Sequence, residues 1–319
     1  RPLREVDWHA VIKNETNQAP AYDIYDLKVD SQGATYVTGR FSGELNLGPN
    51  CDPLDSDGPN QSDGFLIKYS SAPVPAPPPN GAQNLGQCEW AIQFQTIDSS
   101  NNPFVIDPER ILALTLDDQD NVYVGGSIPS LAAKNIGSPN GISFLGAPGQ
   151  AACPGAPLTA RDEGNAFVAK YSNQGDCLWS SFFKGSDSTI SDEYSSVTDL
   201  AFDAANNRLW VMGYFNGAIR FDDTHSSTTT MVSPHEAVNN GHSHAFLAVF
   251  TTTTATPQYL WSTVVAESST FRNQTGATLA YLRDNGLAVD ESGNVWVGGR
   301  YTTEDGNGVN TINVQRSAA

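Results

Sequence analysis

Three carboxylates stand close together in one short polar stretch, at Asp55, Asp57 and Asp63. Carboxylate oxygens are the ligands that Ca²⁺ prefers, and the Asp-Ser-Asp-Gly spacing from residue 55 suits an oxygen-ligated ion. The bidentate Glu that completes an EF-hand loop is missing from the corresponding position. The stretch therefore predicts either a calcium site or a solvated acidic turn.

Two histidines stand two residues apart in Gly-His-Ser-His-Ala, at His242 and His244. Alternate residues of a strand project to the same side, so the two imidazoles could begin a transition-metal site. The spacing supplies no third ligand. Two surface histidines are therefore the alternative interpretation.

Hydrolytic chemistry would need an acid and a nucleophile paired in one cleft. The candidates for such a pair are Asp26, Asp199 and Glu193. Arg40 and Arg300 could bind a carboxylate together, or they could pair with acidic neighbours. No Gly-x-Ser-x-Gly, Walker or dinucleotide fingerprint occurs in the sequence. We therefore predict no catalytic residues, with a glycan-active enzyme as the alternative.

These candidates are distributed over a segment that occurs four times. The copies are residues 27–40, 114–126, 200–213 and 287–300. In each copy an apolar alternation ends in Asp, a short polar link follows, and then an aromatic and β-branched run begins, which is the signature of a hairpin. The four aspartates, at positions 30, 117, 203 and 290, give a period of 87, 86 and 87 residues. So constant a period indicates a repeat architecture.

Each repeat contains two further predicted strands, one rich in Phe and one that carries a Trp. Four antiparallel strands per repeat without helical periodicity predict an all-β fold, with each repeat as one blade of a β-propeller. We expect a single domain over residues 1–319. Its blades should be 21–94, 110–183, 197–265 and 282–319, the last joined by the strand at 6–12.

Large apolar side chains should hold neighbouring blades together, because one blade alone cannot bury both of its faces. The predicted inter-blade aromatics are Tyr36, Tyr123, Trp210 and Trp296 on second strands, and Trp8, Trp90, Trp179 and Trp261 on outer strands. The apolar pairs before each Asp should pack with them, namely Leu27/Val29, Leu114/Leu116, Leu200/Phe202 and Leu287/Val289.

The fourth blade is shorter than the others, because 20 residues follow Gly299 in the sequence. One hypothesis is a four-bladed ring that the N-terminal strand closes. A second is that these residues are part of a longer chain. A third is that another subunit donates the missing strand to an open edge.

The four cysteines occupy matching places in two successive repeats. Cys51 and Cys153 follow the hairpins, while Cys88 and Cys177 each stand two residues before a Trp. Four cysteines allow three connectivities, and only the Cys51–Cys88 and Cys153–Cys177 pairing respects the repeat. The alternative is four free thiols. Disulfides would place the protein in an oxidising compartment, outside the cytoplasm.

The net charge of −18 and the isoelectric point of about 4.4 argue against a nucleic-acid partner, which needs a basic surface. The sequence contains no run of 18 apolar residues, so it predicts no membrane-spanning helix. Charged residues make up only 16% of the chain, a composition typical of extracellular β proteins with long loops.

Two stretches resemble a known family. Residues 165–180, Asn-Ala-Phe-Val-Ala-Lys-Tyr-Ser-Asn-Gln-Gly-Asp-Cys-Leu-Trp-Ser, and 286–299, Gly-Leu-Ala-Val-Asp-Glu-Ser-Gly-Asn-Val-Trp-Val-Gly-Gly, are similar to the SBBP-type bacterial β-propeller repeat. The resemblance implies a secreted or surface-attached propeller, often part of a larger protein, with no shared catalytic residues. The chain departs from the family pattern in its Cys pairs, its Pro-rich insert at 72–79 and its Thr-rich turn at 251–256.

We therefore expect a secreted or cell-surface module that acts in structure or protein interaction, as in adhesion or assembly. Its partner would be a protein or a glycan, and self-assembly through the last blade is one route. The long loops at 49–63, 127–164 and 222–243 should present the contact surface. We expect no cofactor apart from Ca²⁺ at the acidic stretch.

Overall fold

The computed structural model describes residues 22–48, 50–56, 62–70, 87–94, 110–128, 146–150, 153–154, 165–183, 195–215, 218–221, 230–232, 244–253, 256–266 and 283–300. Trp8, Asp57, Glu193 and His242 lie outside these ranges, as do the predicted strand at 6–12 and residues 301–319. Within the described ranges every regular element is a β-strand, so no helix there could cross a membrane.

The strands in chain order are β1 (Tyr22–Val29), β2 (Thr35–Phe41), β3 (Glu44–Leu45), β4 (Leu54–Asp55), β5 (Asp63–Tyr69), β6 (Cys88–Phe94), β7 (Arg110–Leu116), β8 (Val122–Ile128), β9 (Asn165–Tyr171), β10 (Cys177–Phe183), β11 (Ser195–Asp203), β12 (Arg208–Phe215), β13 (Ala218–Arg220), β14 (Thr230–Val232), β15 (His244–Thr251), β16 (Gln258–Ala266), β17 (Arg283–Val289) and β18 (Val295–Arg300).

Three four-stranded antiparallel sheets account for most of these strands. The first sheet has the order β1-β2-β5-β6, the second β7-β8-β9-β10 and the third β11-β12-β15-β16. A final hairpin pairs β17 with β18, and the small pairs β3–β4 and β13–β14 lie in the excursions after second strands. The all-β class is confirmed, and so are the four antiparallel strands of the first three repeats.

The first strand of each sheet packs against the sheet that precedes it in the chain. Strand β7 lies against β1, β2 and β5, β11 lies against β7, β8 and β9, and β17 lies against β11. Three apolar clusters fill these contacts, because each sheet presents one apolar face to its successor. A fourth cluster covers the other face of the first sheet and includes Leu45 and Leu54 of the β3–β4 pair.

The predicted aromatic packing is observed wherever a following strand covers the sheet. Tyr36 and Tyr123 are fully buried, and Trp210 is nearly so. Each meets the Trp of its own outer strand edge-on, with ring centroids 5.9 Å apart for Tyr36–Trp90, 5.8 Å for Tyr123–Trp179 and 5.4 Å for Trp210–Trp261.

Three of the predicted packing residues depart from this pattern. Trp296 on β18 is 65% exposed, and Leu27 and Val29 on β1 are 50% and 56% exposed. The physical reason is the same in each case. They lie on the two faces at the ends of the array, where no neighbouring sheet in the described part of the chain covers them.

Every first strand carries a β-bulge near its beginning. The register shifts between Ile24 and Asp26, between Ile111 and Ala113, between Val197 and Asp199, and between Arg283 and Gly286. A bulge adds one residue to a strand and bends it. Its recurrence at one position shows that the bend is a fixed part of the repeat.

Candidate functional site

The recurring aspartates cap their own hairpin turns. Backbone N–H groups of Gln119 and Asn121 donate to Asp117 Oδ1 at 3.0 and 2.9 Å, and the Asn121 amide adds a bond of 3.0 Å to Oδ2. Asp30 and Asp290 accept the corresponding backbone bonds in their turns. These carboxylates are therefore occupied in turn formation, as their recurrence in every repeat predicts.

Two of the turn aspartates also face a buried lysine from the third strand. Lys170 Nζ lies 2.9 Å from Asp117 Oδ2 and 4.8 Å from the centroid of the Tyr123 ring. In the first sheet Lys68 Nζ lies 4.0 Å from Asp30 and donates to the Asn173 carbonyl of the next repeat at 3.0 Å. Sequence reasoning did not assign these lysines a role. The available signal was Lys at the same register position, opposite Tyr, in two repeats.

A second pair of carboxylates lies on the bulged first strands, at Asp26 and Asp199. Asp26 Oδ2 accepts a bond from the backbone N–H of Leu114 in the second sheet at 2.9 Å. Asp199 Oδ2 accepts one from the backbone N–H of Leu287 in the final hairpin at 2.6 Å. Each carboxylate thus fastens its own sheet to the following one. The equivalent positions in the other two repeats, Ala113 and Gly286, have no carboxylate.

These two acids lie within electrostatic range of each other. Burial raises the pKa of Asp199, the charge of Asp26 raises it further, and the N–H groups of Leu287 and Leu200 oppose both effects without cancelling them. Asp26 has a cationic partner, since Lys28 Nζ lies 2.8 Å from its Oδ1. The structure therefore brings together two of the three predicted hydrolytic candidates, while Glu193 lies outside the described residues.

Asp117 and Asp199 should affect stability with opposite dependence on pH. Burial tends to raise the pKa of Asp117, but bonds from Asn121 and Lys170 outweigh it, so this pKa lies below its ordinary value. The stabilisation that ionised Asp117 supplies is therefore fully present above the ordinary pKa of Asp, and it is lost as pH falls through the lowered pKa. We expect Asp117→Asn to lower the free energy of unfolding at pH 7 by roughly 2 kcal/mol, because it leaves Lys170 buried without its charge partner.

Asp199→Asn is the matched comparison, because it removes the charge and keeps one oxygen that can accept from Leu200 or Leu287, though not from both. The raised pKa means that the folded chain binds more protons than the unfolded chain, so stability falls as pH rises from the ordinary Asp value through the raised one. The stability of the variant relative to the parent should therefore increase as pH rises above the ordinary pKa of Asp. Urea unfolding from about pH 4 to pH 7 measures both variants, and a stability difference between Asp199→Asn and the parent that does not increase with pH would contradict the assignment.

The predicted calcium residues are only partly described. The Gln93 amide bridges the Asp55 carbonyl at 2.7 Å and the carboxylate of the buried Asp63 at 2.5 Å. Asp57 lies outside the described residues. No group of three or more His, Cys, Asp or Glu side chains suited to a metal occurs in the part of the chain that the structure describes. Calcium binding stays a prediction.

Of the predicted histidine pair, the structure describes only His244. His244 is fully buried at the start of β15, with its ring centroid 5.7 Å from that of Phe215. His242 lies outside the described ranges. The transition-metal hypothesis therefore stays untested.

Both predicted disulfides are present. Cys51 is bonded to Cys88 and Cys153 to Cys177, and the structure contains no free cysteine. Each bridge ties a segment that follows a second strand to the outer strand of the same sheet. Two disulfides fit an oxidising environment.

Of the two predicted arginines, Arg40 is the one whose side-chain contacts the structure describes. Arg40 Nε donates to Asp23 Oδ2 at 2.7 Å and Nη2 lies 2.6 Å from the same oxygen, so Arg40 forms an ion pair with Asp23 through two guanidinium nitrogens. Arg300 ends β18 directly opposite Arg283 of β17. The alternative in which Arg40 pairs with an acidic neighbour is the one observed.

The chain matches no protein-family model, and no curated protein is significantly similar to it. The function has therefore to be argued from its own residues.

Proposed function

We propose that this chain is an exported, non-catalytic β-propeller that acts as a structural or interaction module through protein or glycan contacts. The observation that carries the propeller arrangement is a pair of uncovered apolar faces at the two ends of the sheet array. Exposed apolar surface of this kind marks a contact with another surface, which here is either the other end of the same chain or a second copy. The resemblance to the SBBP-type repeat points to the same class of surface protein.

The uncovered face of β1 is the equivalent of faces that are buried elsewhere. Leu114, Leu200 and Leu287 occupy the same position in their strands as Leu27, and they are 0%, 2% and 9% exposed. Leu27 is 50% exposed, and Tyr22 and Ile24 accompany it on the same strand. Such a face is stable in water only when another surface covers it.

The uncovered face of β18 corresponds to the faces of the other second strands that are buried by the next sheet. The residues that match Trp296 on other second strands, Tyr36, Tyr123 and Trp210, are covered by the first strand of the next sheet. A first strand like β1 is therefore what the β18 face should accept. Contact between these two faces within one chain would close the array into a ring of four blades.

The central acids support the same arrangement. Asp26 belongs to the first strand of the first sheet and Asp199 to that of the third, yet their charges interact. First strands of opposite blades approach each other in this way when the blades surround one axis. We accordingly place β1, β7, β11 and β17 nearest the axis.

The non-catalytic part of the proposal rests on how the carboxylates are used. Asp26 and Asp199 each accept backbone bonds on both oxygens, and the turn aspartates are occupied in the same manner. Carboxylates whose oxygens already accept backbone hydrogen bonds are poor candidates for proton transfer. The two disulfides support export.

A glycan-active enzyme is the second candidate, favoured by the interacting Asp26–Asp199 pair. A carboxyl group whose pKa is raised, as that of Asp199 is, suits the general acid of glycoside hydrolysis, which works beside a second carboxylate. Assays of the full chain on a panel of polysaccharides, with Asp199→Asn as the control, separate the two functions. Hydrolysis that the variant abolishes would replace the proposed module with an enzyme.

Engineered cysteines test the closure of the array. A Cβ on Gly125 would lie 2.5 Å from Val197 Cγ1 across the contact between the second and third sheets. Gly298 and Ile24 are the equivalent positions on β18 and β1. We expect Gly298→Cys combined with Ile24→Cys to form a disulfide within one chain under mild oxidation, and non-reducing electrophoresis with mass spectrometry detects it.

The matched control is Gly125→Cys with Val197→Cys, a pair whose contact the structure already describes. A ladder of linked chains from the test pair would show that the two faces join separate copies. If the control pair links and the test pair does not, the two faces do not meet and the ring proposal is wrong.

A further inference from the structure

Strand β18 pairs with β17 alone in the part of the chain that the structure describes. In the three complete sheets the second strand pairs with the first strand on one side and with the third strand on the other. The pairing of second with third strands contains no register shift in any of these sheets, whereas every other pairing in them contains one. We call the side of β18 that faces away from β17 the β18 edge. Its backbone N–H and C=O groups form a regular template for an added strand.

The sequence of β18 is close to that of β8. Residues 295–299 read Val-Trp-Val-Gly-Gly, and residues 122–126 read Val-Tyr-Val-Gly-Gly. The turns before the two strands also match, since Asp290 and Asp117 each accept a bond from the side-chain amide of the Asn four residues later, at 2.9 and 3.0 Å. The outer neighbour of β8 is β9. Strand β9 therefore indicates which residues a strand at the β18 edge should carry.

A Phe of the third strand lies on a Gly of the second strand in all three complete sheets. The opposed pairs are Phe65 with Gly39, Phe167 with Gly126, and Phe246 with Gly213. Each ring is fully buried, and a Cβ on Gly39 or Gly213 would lie 2.6 or 2.7 Å from the Cζ atom of the opposed ring. Gly299 occupies the same place in the fourth repeat. The β18 edge therefore keeps the glycine that such a ring requires.

A Lys of the third strand pairs with the turn Asp in two of the complete sheets. Lys170 Nζ lies 2.9 Å from Asp117 Oδ2, and Lys170 stands opposite Tyr123. The equivalent carboxylate in the fourth repeat is Asp290, which has no ion pair among the described residues. Trp296 takes the place of Tyr123, and a cation binds the face of an indole ring at least as well as that of a phenol ring. A strand at the β18 edge should therefore carry a Lys three residues after its Phe, as β9 does.

The residues of this chain do not supply such a strand. The 20 residues after Gly299 contain neither Phe nor Lys, and the predicted strand at 6–12 contains neither. Strands β5 and β9 carry the Phe-x-x-Lys spacing, but each is already paired on both sides. A folded second copy therefore cannot donate one of them. The occupant that fits is an extended segment of a separate partner protein.

We infer that the β18 edge binds an extended Phe-x-x-Lys segment of a partner protein by strand addition, with its Phe opposite Gly299 and its Lys opposite Trp296. This inference rests on the proposed function as an interaction module and names the partner. Main-chain bonds along the edge supply affinity, while the Phe and the Lys supply selectivity and register. The β18 edge is distinct from the apolar face of β18, so binding here is compatible with closure of the ring.

Fluorescence polarisation with a labelled peptide tests the inference on the full chain. The peptide has the sequence of residues 165–173, Asn-Ala-Phe-Val-Ala-Lys-Tyr-Ser-Asn. We expect it to bind at least about tenfold more tightly than a scrambled peptide of the same composition. Phe167→Ala in the peptide should also weaken binding at least about tenfold, because the buried ring is lost. Hydrogen exchange locates the site, since the peptide should slow exchange on β18 and leave β2, β8 and β12 unchanged.

A double-mutant cycle tests the contact of the Lys with Asp290. Asp290→Asn in the chain and Lys170→Gln in the peptide should each weaken binding about threefold, and the two together should lose no more than either alone. Asp118→Asn is the matched control, because it removes the same charge from the turn between β7 and β8. Its affinity for the peptide should equal that of the parent. Fully additive losses, or an equal loss in Asp118→Asn, would overturn the assigned register.

Three further results would overturn the inference. They are equal binding of the scrambled peptide, protection by the peptide outside β18, and absence of binding. Slow exchange of every β18 N–H group without the peptide would show that the chain fills the edge with its own residues, which contradicts the inference as well. Closure of the ring is judged by the engineered cysteines alone, so a failure here leaves the proposed fold and function standing.

Discussion

Gly126→Ala is expected to lower the free energy of unfolding by about 3 kcal/mol or more, among the largest effects of any single substitution in this chain. A Cβ on Gly126 would fall against the backbone carbonyl of Arg110 on the neighbouring first strand. That carbonyl lies beside the bulge of β7, which pairs with β8 in its own sheet and packs against the first and third sheets. The backbone cannot retreat without breaking the pairing of β7 with β8.

The same close approach recurs in two other repeats. A Cβ on Gly39 would meet the Asp23 carbonyl, and one on Gly213 would meet the Ser196 carbonyl. Glycine at the end of the repeated hairpin segment is therefore explained by the bulge opposite it, where one strand bends towards the other. Gly39→Ala and Gly213→Ala should show comparable losses.

Gly298→Ala is the control for these substitutions. Its Cβ would meet nothing nearer than the Gly286 carbonyl at 3.9 Å, and the equivalent positions in the first and third sheets hold Thr38 and Met212. Urea unfolding followed by tryptophan fluorescence measures all four variants. A loss below about 1 kcal/mol in Gly126→Ala, or an equal loss in Gly298→Ala, would mean that the bulge contact is not what requires glycine.

The repeat made the sheets predictable because apolar alternation, turn chemistry and aromatic spacing all agree in each copy. Strand order follows from these local signals, and so does the cysteine pairing, since equal positions in equal units have equal neighbours. Tyr36 and Tyr123 could likewise be assigned to inter-sheet contacts. Their position on a second strand fixes the face that they occupy.

The features that sequence reasoning missed depend on contacts between repeats. The sequence indicated Asp26 only as a candidate for a hydrolytic pair. Its bond to the backbone of Leu114 forms only when two sheets pack together. The bulge leaves no pattern of its own except the glycine that it requires. Lys170 could have been found by noticing that the third strand keeps a cation opposite a Tyr of the second strand in two repeats, Lys68 opposite Tyr36 and Lys170 opposite Tyr123.

Removal of the Cys51–Cys88 bridge, with both residues changed to Ser, is expected to lower the free energy of unfolding by about 3–4 kcal/mol. The bridge joins residues 37 positions apart, so its loss returns considerable entropy to the unfolded chain. It also attaches the β3–β4 segment to the outer strand of the first sheet, since Cys51 lies between β3 and β4.

The expected loss has a local component that can be measured separately. Cys88 is 2% exposed in the cluster that contains Leu45, Leu47 and Tyr69, and a hydroxyl there would be buried among apolar groups. Hydrogen exchange should therefore rise first at Glu44–Leu45 and Leu54–Asp55, with smaller changes on the second sheet. Unfolding in urea, with and without a reductant, gives the global value.

The Cys153–Cys177 bridge supplies the comparison, because it spans 24 residues and ties a different segment to the second sheet. Its removal by the same Ser substitutions should cost slightly less, since the closed loop is shorter. It should leave exchange in the β3–β4 segment unchanged. If loss of Cys51–Cys88 changes stability by less than about 1 kcal/mol, the β3–β4 segment is held by its apolar contacts and the bridge is dispensable to the fold.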